Sequence, residues 1–349
     1  MKPWVLLGAA MLAEGCKCGG SEADGGGDAD SDADSDSDSD TDSDADSDSN
    51  SDSGTDTDTA SDTSVDGPNQ SVVVRELRIA GESLGCDLDG DATIDNLFAE
   101  SLGTADFFDD AIASALGDGS LIVLLEIRSL GDSTGQNDAD VDVAACDGVD
   151  GDDPANPANN FAGGSSFWIS ADSVDVDGNP ITSLPGAIAA GDLSTQEGSL
   201  SFSFAMGDVD VTLAMARASM TAVVNDDAMG TRIDTLTEGL VCGVGPAPTF
   251  KDVPIDLGVP GMPPTLLDLL VVGFDFLIEV RPTQPDIDLD DDGLETFEDT
   301  DGDQVVDRCV DGDGTQIDGV DCARDARIAD GWSMAFDYEA IWSQILGVR

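Results

Sequence analysis

From residue 71 onward, apolar and polar positions alternate with a period of two. Leu200, Phe202, Phe204 and Met206 alternate with Ser and Ala. After Gly207-Asp208, Val209, Val211, Leu213 and Met215 alternate with Asp, Thr and Ala. A period of two puts one face of a strand on a core and the other in solvent. Gly-Asp between two such runs predicts a hairpin with a type II′ turn. Met220, Ala222 and Val224 extend the meander. Further strands are expected over Val72 to Ile79, Ser120 to Leu130, around Val141 and Val143, and around Phe167 and Ile169, with turn signals such as Asp177-Gly178-Asn179-Pro180 between them. Many short strands at this spacing predict an all-β fold, an antiparallel sandwich or barrel. Helices are few. Ile94, Leu97, Phe98, Leu102, Phe107, Phe108, Ile112 and Leu116 follow helical spacing, broken near Gly103, and Thr265 to Val272 is expected to form a short helix after Pro263-Pro264. Met334, Phe336, Tyr338, Ala340 and Trp342 alternate cleanly, so the chain is expected to end in a strand that returns to the sheet; a helix over 333–346 is the alternative.

The first seventy residues follow different rules. Lys2 precedes an apolar stretch, Trp4 to Ala13, too short to span a bilayer, as in a secretory signal over residues 1–15. Residues 16–70 are mostly Asp, Ser, Thr, Ala and Gly. With so few apolar groups they are expected to stay disordered, kept extended by like charges. This divides the chain into a signal (1–15), a stalk (16–70), a β-rich domain (71–285), an Asp-rich segment (286–325) and a terminal strand (326–349).

Charge narrows the functions available. The chain has 74 acidic residues, 13 basic ones and no histidine, a net charge of −61. Without histidine there is no Ser-His-Asp or Cys-His constellation and no His-ligated zinc. Phosphates would be repelled, so nucleic acid is not an expected partner. From Gly67 to Arg349 alone, 55 acids face 11 bases. Self-repulsion of that size destabilises a compact state unless cations offset it. A saline habitat would produce the same composition.

Those acids are patterned. Asp87-Leu88-Asp89-Gly90-Asp91-Ala92-Thr93-Ile94-Asp95 and Asp299-Thr300-Asp301-Gly302-Asp303-Gln304-Val305-Val306-Asp307 both read D-x-D-G-D-x-x-(I/V)-D. Alternating carboxylates put several hard oxygens on one side of a tight loop, and Ca²⁺ takes 6–8 such oxygens. The seventh-place carbonyls of Thr93 and Val305 are candidate additional ligands. The apolar eighth residues, Ile94 and Val306, are expected to anchor each loop on a core. Between and beyond them run Asp286-x-Asp288-x-Asp290-x-Asp292-Gly293 and Asp311-Gly312-Asp313-Gly314.

The Asp286–Asp325 segment resembles the calcium loops of EF-hand and dockerin proteins, and more closely those of thrombospondin type 3 repeats. The resemblance implies that Asp288, Asp290 and Asp292, and Asp299, Asp301, Asp303 and Asp307, are calcium ligands. Glu295 stands where an EF-hand has an apolar eighth residue, and no Glu fills the twelfth place. Free-standing loops packed on strands are therefore expected rather than helix-loop-helix units. Asp311 and Asp313 join the candidates. The N-terminus resembles a bacterial lipoprotein signal, which implies lipidation of Cys16; plain secretion is the alternative. The whole layout resembles bacterial surface lipoproteins carrying an Asp/Ser-rich stalk, which implies an outer-membrane or cell-surface location but no activity.

Cys309 and Cys322 flank the Asp311 loop and, in an exported protein, read as a disulfide. Cys86 is expected to pair with Cys146 or Cys242, with Cys18 a possible partner for the one left over. The leading functional expectation is a non-catalytic, calcium-stabilised module that binds an extracellular glycan or protein, or builds structure. The alternatives are a carboxylate-based hydrolase such as a glycosidase, and an inert acidic coat protein.

Overall fold

A computed structural model describes residues 69–102, 107–131, 134–206, 209–255, 259–275 and 279–349. The signal, nearly all of the stalk, Cys16, Cys18, Gly103 and the Gly207-Asp208 turn lie outside these residues.

The fold is mostly β. In chain order the elements are β1 (Gln70–Ile79), α1 (Leu97–Leu102), α2 (Phe107–Asp118), β2 (Val123–Arg128), β3 (Asn137–Asp150), β4 (Ser166–Ile169), β5 (Thr182–Ala189), β6 (Asp192–Thr195), β7 (Gly198–Met206), β8 (Val209–Asp226) and β9 (Ile233–Pro246). There follow α3 (Ala247–Asp252), α4 (Leu266–Val272), β10 (Phe274–Asp275), β11 (Glu279–Val280), β12 (Thr296–Glu298), β13 (Arg308–Val310), β14 (Gln316–Asp318) and β15 (Gly331–Val348).

Eight strands close an antiparallel barrel in the ring order β1-β2-β3-β5-β6-β8-β9-β15 and back to β1. Of the two expected all-β architectures, the barrel is the one formed, and closure removes the unpaired edges a sandwich would leave. The terminal segment is a strand, as the alternation at Met334 to Trp342 requires. It also closes the ring, pairing with β1 on one side and β9 on the other. The β7–β8 hairpin forms with Met206 opposite Val209.

Alternation along these strands fills the barrel. Val72, Val74, Leu125, Val143, Leu213, Met220, Met334 and Phe336 belong to one buried cluster. The next residue on β1, Val73, points to the other face, yet it too is fully buried. There β4 pairs antiparallel to β3 and parallel to the end of β15, and its Phe167 and Ile169 cover Val73, Leu124 and Cys146. That second layer explains why Val72-Val73-Val74 is apolar without a break.

Between β9 and β15 the chain makes an excursion, residues 247–330, that carries α3, α4, a two-stranded ribbon (β10–β11) and a three-stranded sheet (β12–β13–β14). Aromatic rings join it to the rest. Phe98 of α1 stacks on Phe250 of α3 at 5.7 Å, Phe250 meets Trp332 at 5.8 Å, and Trp332 meets Phe297 at 5.7 Å. Fully burying one such side chain stabilises by roughly 1.5–3 kcal/mol. Gly245 is required for this contact, because a Cβ there would lie 2.1 Å from the Phe250 ring.

Candidate metal centre

The two nonapeptides fold by one plan. In the first, Asp87 accepts the N–H of Gly90 (2.7 Å) and of Ala92 (3.0 Å). In the second, Asp299 accepts Gly302 N–H (2.8 Å) and Gln304 N–H (2.9 Å). Third-place Asp89 and Asp301 take the N–H of Asp91 and Asp303, and fifth-place Asp91 and Asp303 take that of Thr93 and Val305. Ninth-place Asp95 reaches back to Leu88 N–H at 2.6 Å, as Asp307 reaches Thr300 N–H at 2.9 Å. The fourth-place glycines, Gly90 (φ 82°) and Gly302 (φ 79°), adopt the left-handed region that L side chains resist. A carboxylate oxygen that accepts one N–H still has acceptor capacity for another partner.

A third loop, starting at Asp288, follows the same path with a different closing residue. Asp288 accepts the N–H of Asp291 (2.7 Å) and of Gly293 (2.9 Å), the fourth- and sixth-place groups. Nothing within the loop supplies a ninth-place carboxylate. Asp330, the residue before β15, does so instead: it accepts Leu289 N–H at 2.9 Å and Glu295 N–H at 3.0 Å. Next to it, Gly331 N–H donates to the Ile287 carbonyl, much as Asp95 N–H donates to Cys86 and Asp307 N–H to Glu298. Sequence reading missed Asp330, because no short motif joins it to a loop some forty residues earlier.

Among the described residues, three groups of carboxylates result. Asp87, Asp89 and Asp95 bring one oxygen each within 4.8 Å of one another, as do Asp299, Asp301 and Asp303, and Asp288, Asp290 and Asp330. Two oxygens on one Ca²⁺, each 2.3–2.6 Å away, lie no more than about 5 Å apart. Asp91, Asp292 and Asp307 sit in the same loops but outside these groups. Asp311 also lies outside them: it is buried and caps the β13–β14 turn through Thr315 N–H at 2.6 Å. Asp313 is exposed on that turn and joins none of the three groups.

The loops are held by different means. Ile94, expected to anchor the first loop, is 56% exposed. Leu88 takes that role, buried with Cys242, Val244, Ala335 and Ile287 on the outer face of β9 and β15. The Cys86–Cys242 disulfide fixes the same place, which settles the partner of Cys86 and leaves Cys146 a free, buried thiol. The third loop shares this patch through Ile287 and Leu289. Arg217 lies near both: its guanidinium is held charged first by its hydrogen bond with Glu197, and further by Asp291 and Asp89. In the second loop Val306 is fully buried, as expected. Its N–H donates at 2.8 Å to Asp268, which forms a buried ion pair with Lys251 at 2.9 Å. The expected Cys309–Cys322 disulfide forms beside it.

The electrostatics divide the same way. Hydrogen bonds from Thr93 hold Asp91 below the usual carboxylate range, and those from Thr300 do the same for Asp307. In the third loop burial dominates. It raises Asp330, raises Asp292 with help from Asp290, and pushes Glu295 up to about 7. Glu295 is buried, and its two oxygens accept Ala329 N–H (2.9 Å) and Asp330 N–H (3.0 Å). This pair of neighbouring carboxylates therefore locks backbone to backbone. A cation among the third-loop oxygens would reverse the burial penalty by favouring the ionised forms.

An apolar cavity inside the barrel, lined by Val74, Leu125, Leu200, Phe202 and Tyr338, measures about 30 Å³, enough for a water or two.

No protein-family model, curated protein or solved structure matches this chain.

Proposed function

We propose that this chain is a calcium-stabilised, non-catalytic module displayed at a bacterial cell surface, where it binds an extracellular glycan or protein or builds structure. The observation that carries the reading is the common plan of the three loops. Each turns its first-place aspartate inward onto backbone N–H groups, and each gathers three carboxylates close enough for one hard cation. Ca²⁺ prefers such oxygen sets, and it neutralises charge where an excess of acids otherwise repels itself. The cation acts as a structural clamp. It joins loops to the outer face of β9 and β15, and to α4 through Val306 and Asp268.

An enzymatic reading has less support. Glu295 and Asp330 are the neighbouring acids whose environment would suit acid–base work, but their oxygens are committed to backbone N–H groups. The short apolar stretch ending in Gly15-Cys16 supports attachment through a lipid on Cys16, with residues 16–70 as a spacer; plain secretion is the alternative. The chain's net charge of −61 disfavours nucleic acid and anionic lipid as partners.

Calorimetric titration of the full chain with calcium tests the first part, with binding expected in wild type and weakened binding after Asp87→Ala or Asp299→Ala. Absence of binding would reject it. Cell fractionation tests the second: Cys16→Ser should move the protein from the membrane to the soluble fraction, and a wild type that is already soluble would reject the anchor.

A further inference from the structure

A cleft of about 260 Å³ separates the end of α2 from the segment that follows β3, and Asp118, Gly119, Asp150 and Asn160 all line it. Asp150 is 7% exposed and Asn160 is 0% exposed. Asp150 Oδ1 accepts the N–H groups of Asp152 (3.0 Å) and Asp153 (3.1 Å), which fixes the turn and the direction of the carboxylate. Its Oδ2 is buried and has no protein partner. Neither Oδ1 nor Nδ2 of Asn160 has one, nor does Asn159 Oδ1. Buried polar atoms are almost always satisfied, so this concentration over residues 150–160 calls for a partner from outside the chain.

The chemistry of that partner is legible. The Asn160 amide stands beside Gly119 at the helix end, its nitrogen 3.5 Å from where a Cβ on that glycine would lie. Asp150 Oδ2 and Asn160 Oδ1, on two residues that line the cleft, are both hard oxygens. An anion would meet the charges of Asp150 and Asp118. A soft metal would lack sulfur or imidazole. One carboxylate, one neutral amide oxygen and room for water suit calcium. We propose that Asp150 and Asn160 hold a calcium ion in this cleft, a site separate from the three Asp-rich loops and independent of whether those loops bind.

Equilibrium dialysis of the full chain against radioactive calcium tests it. Asp150→Asn keeps an oxygen for Asp152 and Asp153 N–H and removes the charge. Asn160→Ala removes the amide, and serves as the second variant should either fail to fold. Each should lose one bound equivalent, or weaken it at least tenfold, while binding elsewhere is unchanged. The combined Asp87→Ala/Asp299→Ala/Asp288→Ala chain should retain that equivalent. Unchanged stoichiometry and affinity in the folded Asp150 and Asn160 variants would overturn the proposal and leave the loop reading intact. A wild type that binds no calcium would overturn both. A triple loop variant that binds as much as wild type would overturn the loop reading alone.

Discussion

The Asp330 carboxylate accepts the backbone N–H of Leu289 across a sequence separation of 41 residues. Its second oxygen takes Glu295 N–H. The residue just before β15 thus performs for the third loop the task that Asp95 and Asp307 perform within the first and second. Asp330→Ala would leave two N–H groups without an acceptor, at about 1–3 kcal/mol each. Urea denaturation of the variant should show a loss of at least about 2 kcal/mol. A loss within the ±0.5 kcal/mol or so of an ordinary surface change would contradict this role.

Lys251 and Asp268 are both buried, so separating them leaves an unpaired charge. Lys251→Met should cost about 3–5 kcal/mol. Lys251→Met/Asp268→Leu should recover only part of this, because Val306 N–H also depends on Asp268. A double variant as stable as wild type in denaturant titration would mean that the second loop does not rely on the pair.

The two disulfides close loops of very different length, with sequence separations of 156 and 13. In the chain-entropy model they contribute about 5 and about 3 kcal/mol respectively. Cys86→Ser/Cys242→Ser should therefore lower the melting temperature more than Cys309→Ser/Cys322→Ser. The reverse order would show that local strain or loop electrostatics outweighs chain entropy.

Burial pushes the Cys146 thiol up to about 11, chiefly through desolvation beneath β4. At pH 8 the folded protein should resist alkylation at this position, and urea should expose it. Peptide mass spectrometry after iodoacetamide treatment reads the outcome. Labelling of folded protein at the rate of an unfolded chain would contradict the placement of β4 over β1 and β2.

Local pattern revealed what repeats locally. The β7–β8 hairpin, the two helical runs on either side of Gly103 and the terminal strand all follow from side-chain period. The network inside each nonapeptide follows from its aspartate spacing. Closure did not follow, because it depends on β3 meeting β5 and β15 meeting β1, pairings between residues far apart in sequence. Anchoring was misread at Ile94 for a related reason. Whether the second or the eighth place of a loop is buried depends on which side of the loop the barrel lies, and Leu88, not Ile94, faces β9 and β15. Asp330 was missed because its partner loop is brought to it only by the return of β15 into the ring.

Thermal unfolding of the full chain, with excess calcium and with chelator, tests the central claim most directly. A cation bound only to the native state stabilises by RT ln(1 + [L]/Kd), about 2.7 kcal/mol per site at a hundredfold excess over Kd. For a domain of this size each such site should raise the midpoint by several degrees. The expected result is a midpoint that climbs with calcium concentration and falls in chelator, with the dependence reduced in Asp89→Ala and Asp301→Ala. Identical midpoints in calcium and chelator would contradict the account and leave the three loops as acidic surface turns.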